Sequence, residues 1–285
     1  FTCQFDLKPD MIPTIQLKNN LSFIPTQYVT TSDGEEITLC LTSVDFQLFK
    51  DHYDIFNLEI HGGWKFKSTI GLFDQYIDFW NDRKMNAKIE GNHAVYILAK
   101  LMLNNLYGKF SLNPVTRSKI PTYENGIVKY VVGEEEKRDA VYLPVGTFIT
   151  AYARNKTIRS AQQNYDRFIY ADTDSLHLEG LEVPKDLEIH DTALGAWKHE
   201  SNFIKAKYIR AKTYIEIESP PNRETYKMKI TVAGMPKTCY DQVTFDNFKQ
   251  GSRYHGKLIP QRVHNGIILK SVDFTINRDT MKGKG

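Results

Sequence analysis

The stretch Arg167-Phe168-Ile169-Tyr170-Ala171-Asp172-Thr173-Asp174-Ser175-Leu176-His177-Leu178-Glu179-Gly180 places apolar residues on both sides of a polar Asp-Thr-Asp-Ser turn. It reads as a β-hairpin with an acidic tip. Asp172 and Asp174 are two residues apart, and the period of an extended chain predicts both carboxylates on one side, able to share a cation. Hard cations such as Mg²⁺ take oxygen ligands, and two-metal phosphoryl transfer uses carboxylates to hold the ions at the attacking and leaving oxygens. A bare Asp-x-Asp is more simply an Asp-rich turn, because Asp bonds to its own nearby backbone. A calcium loop starting at Asp172 fails, since its sixth position is His177 where glycine is needed and its twelfth is Val183 where glutamate is needed.

Upstream, Lys100-Leu101-Met102-Leu103-Asn104-Asn105-Leu106-Tyr107-Gly108 lies on a helix predicted over 91–107. At about 100° per residue, Tyr96, Lys100, Asn104 and Tyr107 share one sector, and Val95, Leu98, Met102 and Leu106 fall roughly opposite. One face packs and the other is free to bind. A lysine neutralises triphosphate oxygens, an aromatic ring stacks near a base, and Gly108 leaves room for a base pair. Periodicity alone favours an ordinary amphipathic surface helix ending at a glycine cap.

Elsewhere, the sequence predicts strands in FTCQFDL and EEITLCL, a helix over 44–53 and another over 70–80 with apolar Leu72, Phe73, Tyr76, Ile77 and Trp80. A small β insertion follows, punctuated by Asn113-Pro114 and Asn125-Gly126, with IVKYVV as its clearest strand. A helix over 146–166 leads into the acidic hairpin. Strands KTYIEIE and YKMKITV then flank Ser219-Pro220-Pro221-Asn222, and a helical turn at 245–248 precedes a basic, turn-rich end.

With 25% charged and 12% aromatic residues over 285 positions, the chain is expected to fold and bury a core, and no apolar run reaches membrane-span length. It opens on Phe1 without a secretory signal pattern, as a piece of a longer chain would. Cys3, Cys40 and Cys239 are scattered, predicting neither a disulfide framework nor a zinc site but a reducing, cytoplasmic setting. The eight histidines show no ligand spacing. Charge is uneven: residues 1–63 hold three Lys and nine Asp or Glu, so the downstream part carries the positive charge that fits phosphate contact.

The hexapeptide at 170–175 resembles the YxDTDS signature of family B DNA polymerases, and residues 100–108 resemble their KxxxNSxYG motif, in the family's order. Lys100, Asn104, Tyr107 and Gly108 match, while Asn105 stands where serine is usual. Lys212-Thr213-Tyr214 resembles the KxY motif that holds the primer terminus, and Thr150 to Arg154 a TxxAR DNA-contact motif of the protein-primed branch. IPTIQLK, LAKLMLN and LYGKF are also in the style of the replicative polymerases of small tailed phages.

The resemblance implies an α+β right-hand polymerase fold with palm, fingers and thumb plus two β-rich insertions, the proofreading domain and part of the palm being absent. Residues 1–63 would be the insertion contacting terminal protein and template, 64–110 the fingers, 111–145 the second insertion, 146–232 the palm and 233–285 the thumb. It implies a DNA-directed DNA polymerase transferring nucleotides from dNTPs to a primer terminus. Mg²⁺ or Mn²⁺ would sit on Asp172 and Asp174, with nucleotide contacts at Lys100, Asn104, Tyr107 and Gly108. DNA contacts would lie at Thr150, Arg154, Tyr170, Lys212 and Tyr214. The implied partners are template and primer DNA, dNTPs and a terminal protein primer, with the protein a monomer in the host cell cytoplasm. The family's further metal-binding Asp, in a DxxSLYP motif, has no counterpart in these residues. The alternatives are a DNA-binding module without independent catalysis and, more weakly, a metal-dependent nuclease.

Overall fold

In the computed structural model, which describes residues 1–17, 28–124, 127–139, 141–219, 226–263 and 266–276, β1 (Thr2–Leu7) runs between β2 (Ile37–Thr38) and β3 (Tyr53–Glu59) in an antiparallel sheet. Only two residues of EEITLCL join the ladder. The helix expected here is α1 (Ser43–His52), begun by Thr42, whose hydroxyl accepts from the Asp45 amide at 3.1 Å and donates to its carboxylate at 2.8 Å. Phe5, Phe49 and Tyr53 bury their rings against one another, with Phe5 edge-on to both others at 5.3 Å. Each such ring contributes most of a core position's burial, and truncating Phe49 to alanine costs about 3–5 kcal/mol.

The next helix begins later than its apolar spacing suggests. Gly71, at φ +81°, turns the chain at its start, so α2 spans Asp74–Ile89 and leaves Ile70 and Leu72 exposed. Asn92 caps α3 (His93–Lys109) by accepting from the Val95 amide at 3.2 Å. The two helices pack through buried Ala87 and Ala99, and the Tyr76 hydroxyl donates to the Met102 carbonyl at 3.0 Å. Leu98, placed on the packed face by its spacing, is exposed beside Ile97 and Leu101.

The β insertion is one long hairpin, β4 (Val115–Glu124) with β5 (Ile127–Lys137); the Asn125-Gly126 signal lies outside the described residues. It is followed by α4 (Leu143–Gln163), which starts with Pro144 in its first turn. A side chain at Gly146 would run into Ser111 and the Phe110 backbone, so glycine there lets α4 start directly against the end of α3.

Two sheets follow with no backbone ladder between them: the hairpin β6 (Phe168–Asp172) and β7 (Ser175–Leu178), and the meander β8 (Phe203–Arg210), β9 (Thr213–Glu218) and β10 (Lys227–Val232). Pro220, Pro221 and Asn222 lie outside the described residues. The end of the chain departs most from expectation. Residues 245–248 form a turn, a 3-10 helix spans Lys237–Gln242, and the basic tail is a hairpin of β11 (Arg253–Val263) and β12 (Gly266–Thr275). A second core of Ile215, Val232, Met235, Cys239, Phe248, Tyr254 and Phe274 packs that hairpin against β9 and β10. No helix among the described residues is long and apolar enough to cross a membrane.

Candidate functional site

Between β6 and β7 the chain turns over Thr173, which takes φ +57°, while the Asp174 amide donates to the Asp172 carbonyl at 2.6 Å. Asp172 and Asp174 are therefore related by a tight turn rather than by the strand alternation expected of an extended segment. The Thr157 hydroxyl on α4 props the turn from below, donating to the Thr173 carbonyl at 2.8 Å.

Lys212 faces this tip from the β8–β9 turn, itself held open by a left-handed φ of +54°. Its Nζ donates to both Asp172 oxygens, at 2.7 and 2.8 Å, and its backbone amide donates to the Tyr170 hydroxyl at 2.8 Å. Asp174 makes no side-chain hydrogen bond or ion pair among the described residues. The carboxylate pair thus offers hard oxygen donors, one of which already accepts a cationic group, and these fit a divalent cation. Among the described residues no group of three or more His, Cys, Asp or Glu stands ready to hold a metal, so these two carboxylates make an incomplete set.

Beneath the tip lies a cluster that the sequence did not single out. Tyr170 is tilted 5.1 Å from Tyr208 and 5.3 Å from Tyr214, and His177 meets Tyr170 and Tyr214 edge-on at 5.3 Å. Glu216, 1% exposed, accepts from His177 Nδ1 at 2.7 Å and from the Tyr208 hydroxyl at 2.8 Å. Burial alone would raise the Glu216 carboxyl pKa, but hydrogen bonds from His177 and Tyr208 outweigh it and hold it below the ordinary value. Burial, and then the neighbouring Glu216, push the Tyr208 phenol far up; burial also raises Tyr170, against the hydrogen bond from the Lys212 amide. In sequence, only the alternation that puts Tyr214 and Glu216 on one face of β9 hinted at this cluster.

The remaining candidates are spread. Tyr214 is 7% exposed, its ring packed against Tyr170 and His177 in this cluster. Thr150 turns its hydroxyl onto its own helix, toward the carbonyls of Gly146 and Thr147. Arg154 grips Asp45 on α1 through two bonds, at 3.1 and 2.8 Å. Arg159 repeats the link to Asp51 at 2.7 Å. Tyr28, absent from the sequence-derived set, lies where Arg154 and Asp172 both act on its phenol, which burial raises first.

Lys100, Asn104 and Tyr107 all face outward on α3, unbonded among the described residues. A methyl at Gly108 would meet no atom within 4 Å. Glycine inside a helix costs about 1 kcal/mol relative to alanine, and nothing in the chain's own packing requires it there.

Residues 1–192 match the family model described as DNA polymerase type B, organellar and viral. The chain is 45% identical to the DNA polymerase of Bacillus phage phi29 over 96% of its own length and 50% of that protein's. It is 38% identical to the DNA polymerase of Streptococcus phage Cp-1, over 95% and 48% respectively. Among solved structures, phi29 DNA polymerase complexed with primer-template DNA and incoming nucleotide substrates superposes with a TM-score of 0.89 at 44% identity, covering 97% of this chain and 50% of that one. The chain spans about half the length of these relatives and shares their mixed helix and strand fold.

Proposed function

The chain belongs to the type B DNA polymerases, organellar and viral, and on that premise we propose that it carries the part of a protein-primed DNA polymerase in which a dNTP is joined to a primer terminus during viral replication in the host cytoplasm. The observation that carries this reading is the meeting of the two hairpin tips, Asp172 against Lys212 at 2.7 Å. Asp172 and Asp174 would hold Mg²⁺ or Mn²⁺, which when bound supplies charge stabilisation at the attacking and leaving oxygens. The Lys212 ammonium would turn to the primer backbone, with Tyr170 and Tyr214 fixing the turn that carries it. On α3, Lys100 would meet the triphosphate, and Asn104, Tyr107 and the open space at Gly108 the nascent base pair. The proposed division is a terminal-protein and template insertion over 1–63, fingers over 64–110, a second insertion over 111–145, palm over 146–232 and thumb over 233–285. Terminal protein, template, primer and dNTPs are the proposed partners of the monomer.

A second reading is a DNA-binding polymerase part without independent catalysis. It is favoured by the incomplete carboxylate set and by the lack of a DxxSLYP segment in these residues. Primer extension by the chain alone, and with the amino-terminal half of a relative's polymerase added, separates the two. Extension only on addition supports the proposed site working with ligands from the other half. Extension by the chain alone defeats the second reading, and no extension in either case defeats the first.

A further inference from the structure

The tips that carry Asp172 and Lys212 belong to separate sheets, and contacts rather than a backbone ladder relate them, among them the rings of Tyr170, Tyr208 and Tyr214. Three polar links among the described residues add to these. Two run through Lys212, from its amide to Tyr170 and from its ammonium to Asp172, and both are exposed. The ammonium link must break if Asp172 takes a metal ion and Lys212 turns to DNA. The third is partly buried, around the buried Glu216: the Nδ1 of His177 on β7 reaches Glu216 on β9 at 2.7 Å and the hydroxyl of Tyr208 on β8 at 2.9 Å, and that hydroxyl donates to Glu216 at 2.8 Å. From β10, Lys229 Nζ stands 3.9 Å from the other Glu216 oxygen, while Tyr170 and Tyr214 wall the cluster with their rings.

We infer that the His177–Glu216–Tyr208 triangle is the positioning joint that keeps the Lys212 turn in register with the Asp172 and Asp174 tip after the Lys212–Asp172 contact opens. This rests on the polymerase reading of the site. His177 pairs across the hairpin with Tyr170, two residues from Asp172, and Glu216 lies four residues from Lys212, so the joint sits one short step behind each tip. Glu216 takes its partners from different elements, so removing it leaves groups of β7 and β8 unpaired at once and loosens the two hairpins from each other. None of the three residues touches the reacting atoms; they act through the tips.

The test uses the full chain, without metal, binding three labelled DNAs of equal length: a primer–template with a recessed 3′ end, a blunt duplex and a single strand. Thermal unfolding is followed alongside. The wild type should favour the recessed end. Glu216→Ala should lose about tenfold on that DNA, the worth of a charge-assisted hydrogen bond, with the blunt duplex changed by less than about twofold. Tyr208→Phe, which removes one hydroxyl, should lose part of the preference, and Glu216→Gln, whose amide oxygen still accepts from His177 and Tyr208, should restore it. Wild-type preference in both Glu216→Ala and Tyr208→Phe, or an equal loss on all three DNAs, overturns the inference. A wild type that does not distinguish the recessed end overturns instead the reading of the site on which it rests.

Discussion

Lys212 holds Asp172 by both carboxylate oxygens, at 2.7 and 2.8 Å, so its ammonium would compete with any cation for that carboxylate. The lysine side chain is 58% exposed and the aspartate 21%, which keeps the pair in the weak range of surface ion pairs, about 1 kcal/mol or less. Lys212→Met should therefore tighten Mn²⁺ binding by the DNA-free chain by about threefold, and weaken binding of a primer–template. Free Mn²⁺ measured by electron paramagnetic resonance checks the first part. Metal affinity that falls in this variant would contradict competition at Asp172.

A substitution at Gly108 is expected to separate stability from DNA binding. Because an added methyl meets nothing within 4 Å, Gly108→Ala should stabilise the chain by about 1 kcal/mol through helix propensity. The same methyl should weaken primer–template binding. Thermal unfolding and fluorescence anisotropy read the two effects, and a variant that gains stability with unchanged DNA binding would return Gly108 to the role of a simple helix residue.

Arg154 is expected to act through Asp45. The pair is bidentate and its aspartate only 14% exposed, so a double-mutant cycle of Arg154→Ala and Asp45→Ala should give a coupling of about 0.5–1 kcal/mol in unfolding free energy. Additive losses, with a reduced salt dependence of DNA binding in Arg154→Ala alone, would instead assign the arginine to DNA.

These residues also show what a sequence reading reaches. The four helices and the acidic hairpin announce themselves through local spacing, and the helices differ from expectation mainly at their ends, where Gly71 and Pro144 decide. The terminal hairpin is hard to read because Arg253, Lys257, Pro260 and Arg262 interrupt the apolar pattern of β11, and Tyr254 and Phe274 are buried against Cys239 and Phe248, outside both strands. The partner of Arg154 lies 109 positions away and that of Glu216 lies 39 away. No local pattern marks such pairs, and a buried glutamate reads as a solvated one until the fold supplies His177.

His52 gives the chain an acid limit. It is 1% exposed with Nδ1 on the Ile12 carbonyl at 2.7 Å, and burial lowers its pKa, against that hydrogen bond. Below its ordinary pKa of about 6.5 the unfolded chain binds a proton that the folded chain refuses, so stability is full above that pH and falls as pH drops toward the folded value. Urea unfolding between pH 7 and 5 should show this decline, with a slope of up to about 1.4 kcal/mol per pH unit. His52→Asn should flatten it; an unchanged slope would assign the decline to other groups.

The most direct measurement is single-nucleotide incorporation on a recessed primer by the complemented enzyme, comparing wild type with Asp174→Asn. Asp174 has no partner among the described residues that its loss would strand, so the fold and DNA binding should stay within about twofold. Incorporation should fall by about a thousandfold or more, the scale on which transition-state charge stabilisation is lost. Incorporation within tenfold of wild type would contradict the assignment of nucleotidyl transfer to the hairpin tip that Asp172 and Asp174 share.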